Sequence, residues 1–325
     1  MATISDVAAR AGVSTATVSR TLNGKSTVDP ELAARVLEAA EELGYHPNGL
    51  ARNLRRQETA VLALIISDVE NPFFTSIARG VEDLAQVSGY SVVLCNSDEN
   101  EDKERRYLDV ALQERVAGVL LSPTGPATNV TRLRRLGTPV VAVDRPLPGT
   151  DCDQVLVDTR RAARQATRHL VANGYRRVAC LSGPSGVRTA DDRLSGYLDA
   201  VGEENAIYRR AEYRAEGARR AAGDLLDQPA PPDALLVANS TMAIGVLEAL
   251  AARKLRAGRD IGIVSFDDAP WTTLIDPPLT VVAQPAYEIG RVAAQLLLAR
   301  IADSTREPVT TTLDAQLIDR QSSHR

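Results

Sequence analysis

The chain has 325 residues, 44% of them apolar, with three cysteines, three histidines and a formal net charge of −4. That length suits two or three folded domains rather than one small unit, and the apolar content supports a full core rather than disorder. The charge excludes general coating of nucleic acid, which needs a net positive surface, and the dispersed Cys95, Cys152, Cys180, His46, His169 and His324 exclude a disulfide framework and a zinc cluster.

The first predicted unit spans residues 1–46. Thr3 can cap a helix running through Asp6, Val7, Ala8 and Arg10, with Asp6 as a partial capping-box partner, and Gly12 breaks it. Ser14 can cap a second helix, 15–22, which Asn23-Gly24 ends. Asp29-Pro30-Glu31 opens a third with a cap, a first-turn proline and an acid at the positive end of the helix dipole. Leu32, Val36, Leu37, Ala40 and Leu43 form its apolar stripe, and Gly44 stops it. Two short helices across a tight turn, braced by a third, suit a helix-turn-helix head that lays its second helix in a major groove.

Charge is segregated accordingly. Glu31, Glu38, Glu41 and Glu42 collect on the brace, whereas the second helix has Arg20 and no acid, and 46–57 has His46, Arg52, Arg55 and Arg56 and no acid. Thr15, Ala16 and Arg20 lie where base edges are read; Arg20 can grip guanine O6 and N7, and the Ala16 methyl can touch a thymine methyl. Ser14, Thr17 and Ser19 suit phosphates, and Thr3 and Asn23 complete the DNA-facing set. Val7, Val13, Val18 and Leu22 are assigned to the core of the head.

From residue 60 onward, apolar runs alternate with amphipathic stretches. The first round comprises strand 61–66, helix 74–87, strand 90–95, helix 102–114, strand 118–121, helix 128–136 and strand 139–143, which ends at Asp144-Arg145. A second round starts near residue 158 with helix 160–172, strand 177–181, helices 192–203 and 215–226, strand 234–237, helix 242–251 and strand 262–265. Strand 279–283, helix 289–301 and strand 309–313 close the pattern. This alternation predicts an α/β body of doubly wound parallel sheets. Its restart predicts two lobes, 60–157 with 287–313 and 158–286 with 314–325, joined to the head by a hinge and linker at 47–59. Ligands in such sheets sit beyond the carboxyl ends of the strands, so a cleft between lobes sets two groups of strand ends face to face.

Several short motifs stand in a fixed order. They are Thr3-Ile4-Ser5-Asp6-Val7-Ala8, Ala11-Gly12-Val13-Ser14, Thr17-Val18-Ser19-Arg20, Leu22-Asn23-Gly24 and Leu43-Gly44-Tyr45-His46-Pro47-Asn48. Downstream come Asn71-Pro72-Phe73-Phe74, Arg193-Leu194-Ser195-Gly196-Tyr197, Asn239 before Met242-Ala243, and Phe266-Asp267-Asp268 through Pro277-Pro278-Leu279-Thr280. In order and spacing they resemble the lactose-repressor (LacI/GalR) family over essentially the whole chain. The resemblance implies a type I periplasmic-binding-protein-like effector domain, a near-palindromic operator and a homodimer. It also implies a hinge helix that folds on specific DNA and enters the minor groove, where Asn48, Ala51, Arg52 and Arg55 make contacts and Leu54 is the intercalating wedge. Conditional folding agrees with helix physics, because eight residues are too few for a stable isolated helix and Gly49 weakens it by ~1 kcal/mol relative to alanine.

Asp68, Asn71, Phe73, Phe74, Asp144, Arg193, Asn239, Asp267 and Trp271 follow predicted strand ends or match the effector positions that the resemblance implies, with Arg145 as a further candidate. Carboxylates and a forked arginine grip vicinal hydroxyls, and an aromatic face stacks on a sugar ring or base. A sugar effector is expected, with Arg193 and Asp267 at the centre of its site. Phe73 and Phe74 also read as core. Relatives commonly follow the asparagine with an aspartate; Ser240 follows Asn239 here and is expected to cap the next helix in its place.

A sugar solute-binding protein shares such a two-lobed body, but it would need an export signal and no DNA-binding head. A sugar-modifying enzyme would need a catalytic constellation. No G-x-G-x-x-G follows the first strand, no P-loop or G-x-S-x-G occurs, and Asp267-Asp268 adjoin rather than flank a bond at ~5–9.5 Å. The expectation is therefore a cytoplasmic transcriptional repressor, with no enzymatic activity, cofactor or metal and with no membrane segment. Its partners are an operator duplex, a small-molecule effector and a second copy of itself; no leucine heptad closes residues 317–325, so a dimer is expected. Lobe closure that alters hinge pairing by ~1–3 kcal/mol would suffice to control operator affinity.

Overall fold

The structure, a computed structural model, describes residues 2–22, 28–45, 59–147 and 149–325. The chain divides into two units, 1–59 and 60–325.

In the first unit, α1 (Ile4–Ala11), α2 (Thr15–Leu22) and α3 (Pro30–Glu42) start where their side-chain caps dictate. The capping box of α1 is complete: the Asp6 amide donates to Thr3 Oγ1 at 3.3 Å, and the Thr3 amide donates to Asp6 Oδ2 at 2.7 Å. Gly12 ends α1 in the left-handed region at φ 65°. Ser14 Oγ accepts from the Thr17 amide at 3.2 Å, and Asp29 Oδ1 accepts from Glu31 and Leu32. Val7, Ala8 and Ala11 meet Val18 of α2 and Val36, Ala39 and Ala40 of α3, with Ile4, Val13, Leu22 and Tyr45 packed partly against them. Arg35 of α3 donates to the Ala11 carbonyl at 2.5 Å and so sets a cation at the negative end of α1. The apolar stripe expected on α3 is narrower than the sequence suggests. Leu37 lies about a quarter turn from Val36 and is 55% exposed. The expected stop at Asn23-Gly24 and the hinge positions Asn48, Ala51, Arg52, Leu54 and Arg55 lie outside the described residues.

The second unit holds two six-stranded sheets. The first runs β11 (Thr310–Leu313), β5 (Asp153–Val157), β4 (Val140–Val143), β3 (Gly118–Leu121), β1 (Val61–Ile66), β2 (Ser91–Asn96), all parallel. The second runs β12 (Gln316–Ile318), β10 (Thr280–Ala283), β9 (Gly262–Phe266), β8 (Ala234–Val237), β6 (Val178–Ser182), β7 (Ile207–Arg210), parallel except for β12. Central strands such as β1 and β6 are buried on both faces, which is why they read as continuous apolar runs. The chain order reverses at β1, between β2 and β3, and at β6, between β7 and β8. These switch points open crevices at the strand ends.

The chain passes between the sheets after β5, after β10 and between β11 and β12. After β10 it forms the helix Ala286–Ala302, which joins the first sheet's core through Ile289, Ala293, Ala294 and Leu297. That helix lies backbone to backbone with Pro72–Val87. A Cβ on Gly80 would stand 2.1 Å from the Tyr287 carbonyl oxygen, and one on Gly290 2.0 Å from that of Ile77. Only glycine permits this approach.

Candidate functional site

The cleft is assembled from residues just beyond strand ends. Asp68 and Asn71 follow β1, Glu99 follows β2, and Asp144 and Arg145 follow β4. From the second sheet, Tyr213 follows β7, Asn239 follows β8 and Asp267 follows β9, while Thr189 and Arg193 come from the helix Arg188–Val201 after β6. With Phe73 and Phe74 they line one cavity.

Local structure fixes several of these side chains. Asn71 caps the helix Pro72–Val87, its Oδ1 accepting from the Phe73 amide at 3.0 Å. Phe73 and Phe74 then pack edge to face with ring centroids 5.1 Å apart, and they serve both the core and the cavity wall. Asn239 accepts from the Met242 amide at 2.7 Å and is itself the cap of the helix Ser240–Ala252. This corrects the expectation for Ser240, which is the first helical residue. Asn239 already has the extended backbone that a cap requires.

Two arginines organise the charge. Arg145 places its two terminal nitrogens on Glu99 at 2.7 and 2.5 Å, and one of them also reaches the Pro123 carbonyl at 3.2 Å. Its Nε stands 3.5 Å from Asp144 Oδ2 without making a hydrogen bond, and its guanidinium carbon is 5.9 Å from the Tyr213 ring centroid. Arg193 donates to the Ala238 carbonyl at 2.6 Å and stacks 4.4 Å over the Phe266 ring, and its Nε has no hydrogen-bond partner. Asp267 accepts from Gln284 Nε2 at 2.7 Å. Burial pushes the Asp144 carboxyl up to about 6 despite the nearby Arg145 and Arg193. Burial also raises Asp267, against the pull of Arg193 and the Gln284 hydrogen bond. Buried guanidinium donors beside half-satisfied carboxylates are short of partners, a need that a neutral polyhydroxyl compound can meet.

The cleft gathers every effector residue expected from sequence except Trp271. That side chain rides a short 3₁₀ turn, Pro270–Thr273, and packs partly buried against the second sheet's core. Glu99, Thr189 and Tyr213 were not expected. Glu99 follows a strand end, as Asp68 and Asp144 do, which is the signal that could have found it. Tyr213 follows β7, a short edge strand whose sequence, Ile-Tyr-Arg-Arg, gave no strand expectation.

On the head, Thr15, Ala16 and Arg20 are exposed, and Ala16 and Arg20 stand one turn apart while Val18 is buried. The Thr3 hydroxyl and amide are both taken up by Asp6, and Ser14 and Thr17 hydrogen-bond each other at 3.0 Å. Ser19 is half-buried, and Asn23 falls outside the described residues. Among the described residues, no cluster of His, Cys, Asp or Glu could hold a metal ion, and no helix is long and apolar enough to cross a membrane.

Residues 3–48 match the sequence profile of bacterial regulatory proteins of the lacI family, and residues 167–323 match the periplasmic binding protein-like domain. The ribose operon repressor of Halalkalibacterium halodurans is 36% identical over 325 residues, covering 99% of this chain and 97% of its own. A structure of the transcriptional regulator CelR in complex with cellobiose aligns with TM-score 0.74 and 31% identity, covering 99% of this chain and 100% of that one. The lac repressor dimer, bound to operator and the anti-inducer ONPF, aligns with TM-score 0.87 and 26% identity over 100% of this chain and 99% of its own.

Proposed function

The chain belongs to the lacI family of bacterial regulatory proteins, and from that premise we propose that a neutral monosaccharide, a pentose before a hexose, sets its grip on an operator. It is a sequence-specific DNA-binding transcriptional regulator and not an enzyme. In this reading residues 1–46 are the DNA-binding head and 47–59 the hinge. The lobes are 60–157 with 287–313 and 158–286 with 314–325, and two copies pair so that two α2 helices meet half-sites about one helical turn apart. The pairing is supported by the lac repressor, whose structure is a dimer on its operator.

The observation that carries the choice of effector is the charge of the cleft. Asp68, Glu99, Asp144 and Asp267 face Arg145 and Arg193. Glu99 is paired with Arg145 and Asp68 with Arg214, which leaves Asp144 and Asp267 against Arg193, a balance unfavourable to a sugar phosphate or sugar acid. The relative named ribose operon repressor supports a pentose, whereas CelR was solved with the disaccharide cellobiose. Arg193 and Asp267 would hold adjacent hydroxyls from one lobe and Asp144 and Arg145 from the other, with Phe73 and Phe74 against the ring.

Calorimetry of the full chain with D-ribose, D-glucose, cellobiose and ribose 5-phosphate tests this reading. D-ribose should bind, and ribose 5-phosphate should bind at least about tenfold more weakly, as a like charge held in a closed site requires. Tighter binding of cellobiose or of the phosphate would refute it.

A further inference from the structure

Beside the cleft lies an ion-pair cluster that shares only Asp68 with the cavity wall. Asp98 and Glu99 follow β2, both with left-handed backbones at φ 59° and 52°. Tyr213 and Arg214 follow β7 in the opposite sheet. Each pair sends one member to the cleft and the other away from it. Glu99 and Tyr213 hold Arg145 between them inside the cavity wall. Outside it, Arg214 bonds Asp98, stands 3.0 Å from Asp68 Oδ2 and reaches Glu70 Oε2 at 3.4 Å. Arg214 itself is not part of the cavity wall.

One guanidinium from the second sheet's side therefore binds three carboxylates carried by the ends of β1 and β2. Without it, those carboxylates repel one another across a short distance, and the buried Asp68 keeps only its local bond to the Glu70 amide. A single exposed pair would contribute little, but a network with a buried member is worth more. The strap is covalently continuous with the cleft, because Arg214 adjoins Tyr213 and Asp98 adjoins Glu99, and Arg145 bridges those two neighbours.

We propose that Arg214 is a closure residue: it holds the two lobes together over the effector without touching it, and it is positioned by the same Glu99–Arg145–Tyr213 stack that lines the cleft. This rests on the effector reading of that cleft. Arg214 is thus a positioning residue whose loss acts on effector release.

The test is a double-mutant cycle on the full chain with Arg214→Gln, Asp98→Asn and both together. Without any ligand, deuterium uptake at amides 97–100 and 211–214 should rise about threefold in Arg214→Gln, less in Asp98→Asn, which leaves Arg214 on Asp68 and Glu70, and no further in the double variant than in Arg214→Gln, because the Asp98 contact is one that Arg214 makes. With D-ribose as the probe, dissociation from Arg214→Gln should be about tenfold faster while association changes less than about twofold, and Arg214→Lys should recover part of the loss. Unchanged uptake in the single variants, or increases that multiply in the double variant, would overturn the proposal. If D-ribose does not bind the unaltered chain, the pentose reading falls and the ligand-free exchange still decides the role of Arg214.

Discussion

Asp144 and Asp267 reach the cleft from the same place in two different sheets. Each is the residue directly after a buried strand, β4 or β9, and each holds a left-handed backbone, at φ 65° and 72°. Aspartate tolerates this region where a β-branched residue would not. The turn therefore points a carboxylate into the cleft from either side, and Arg193 is the cation that acts on both.

Asp144 should make effector binding pH-dependent. Its folded value of about 6 lies above the ordinary 3.8, so the fold favours the protonated form. The stabilisation this contributes is full below about pH 4 and is lost as pH rises through about 6. Sugar hydroxyls donate to the ionised carboxylate, so D-ribose affinity should rise between about pH 5 and pH 7, with proton release on binding at the lower end. Calorimetry in buffers of different ionisation heat reads the proton count, and Asp144→Asn should flatten the profile.

Arg193→Met should remove the cation shared by Asp144 and Asp267 together with an Nε donor that is open to a ligand. A charge-assisted hydrogen bond to a ligand is worth about 1.5–3 kcal/mol, so effector affinity should fall by about 10- to 100-fold. Operator binding without effector should persist. Equilibrium titrations with D-ribose and with operator duplex separate the two effects.

Gly80→Ala should destabilise the sensor unit although alanine favours helix. The added methyl would meet the Tyr287 carbonyl at 2.1 Å, a backbone atom that can move only with its helix. Overpacking of this kind costs about 1–3 kcal/mol, seen as a drop of several degrees in thermal midpoint. The head, a separate unit, should keep its own transition.

Arg20→Ala should weaken specific operator binding at least about tenfold and leave D-ribose binding unchanged, since it removes an exposed side chain from α2. Fluorescence anisotropy with specific and scrambled duplexes distinguishes lost base readout from lost phosphate contact.

Much of the architecture was legible because its signals are local. Thr3, Ser14 and Asp29 announce helix starts through side-chain caps, and the apolar runs at β1 and β9 announce strands buried on both faces. What escaped depended on long-range pairing. β5 carries Asp153 and Gln154 and is a strand because it lies between β4 and β11, and Asp153 is satisfied by Arg300 far along the chain. β7 and β12 are edge strands of four and three residues, too short to show a period. The cleft followed the same rule. Asp68, Asp144 and Asp267 stand after obvious strands; Glu99 does too but is one of several acids in 98–102, and Tyr213 follows a strand the sequence does not announce. Trp271 had the right chemistry but sits on a 3₁₀ turn that packs it against the core.

The central claim is that cleft occupancy alters operator affinity. Its most direct test is titration of the full chain against a duplex selected from a random library, with and without saturating D-ribose. A two-fold-related site whose apparent affinity shifts by at least about fivefold is the predicted result. A selected site bound equally well with and without a sugar that demonstrably occupies the cleft would contradict it.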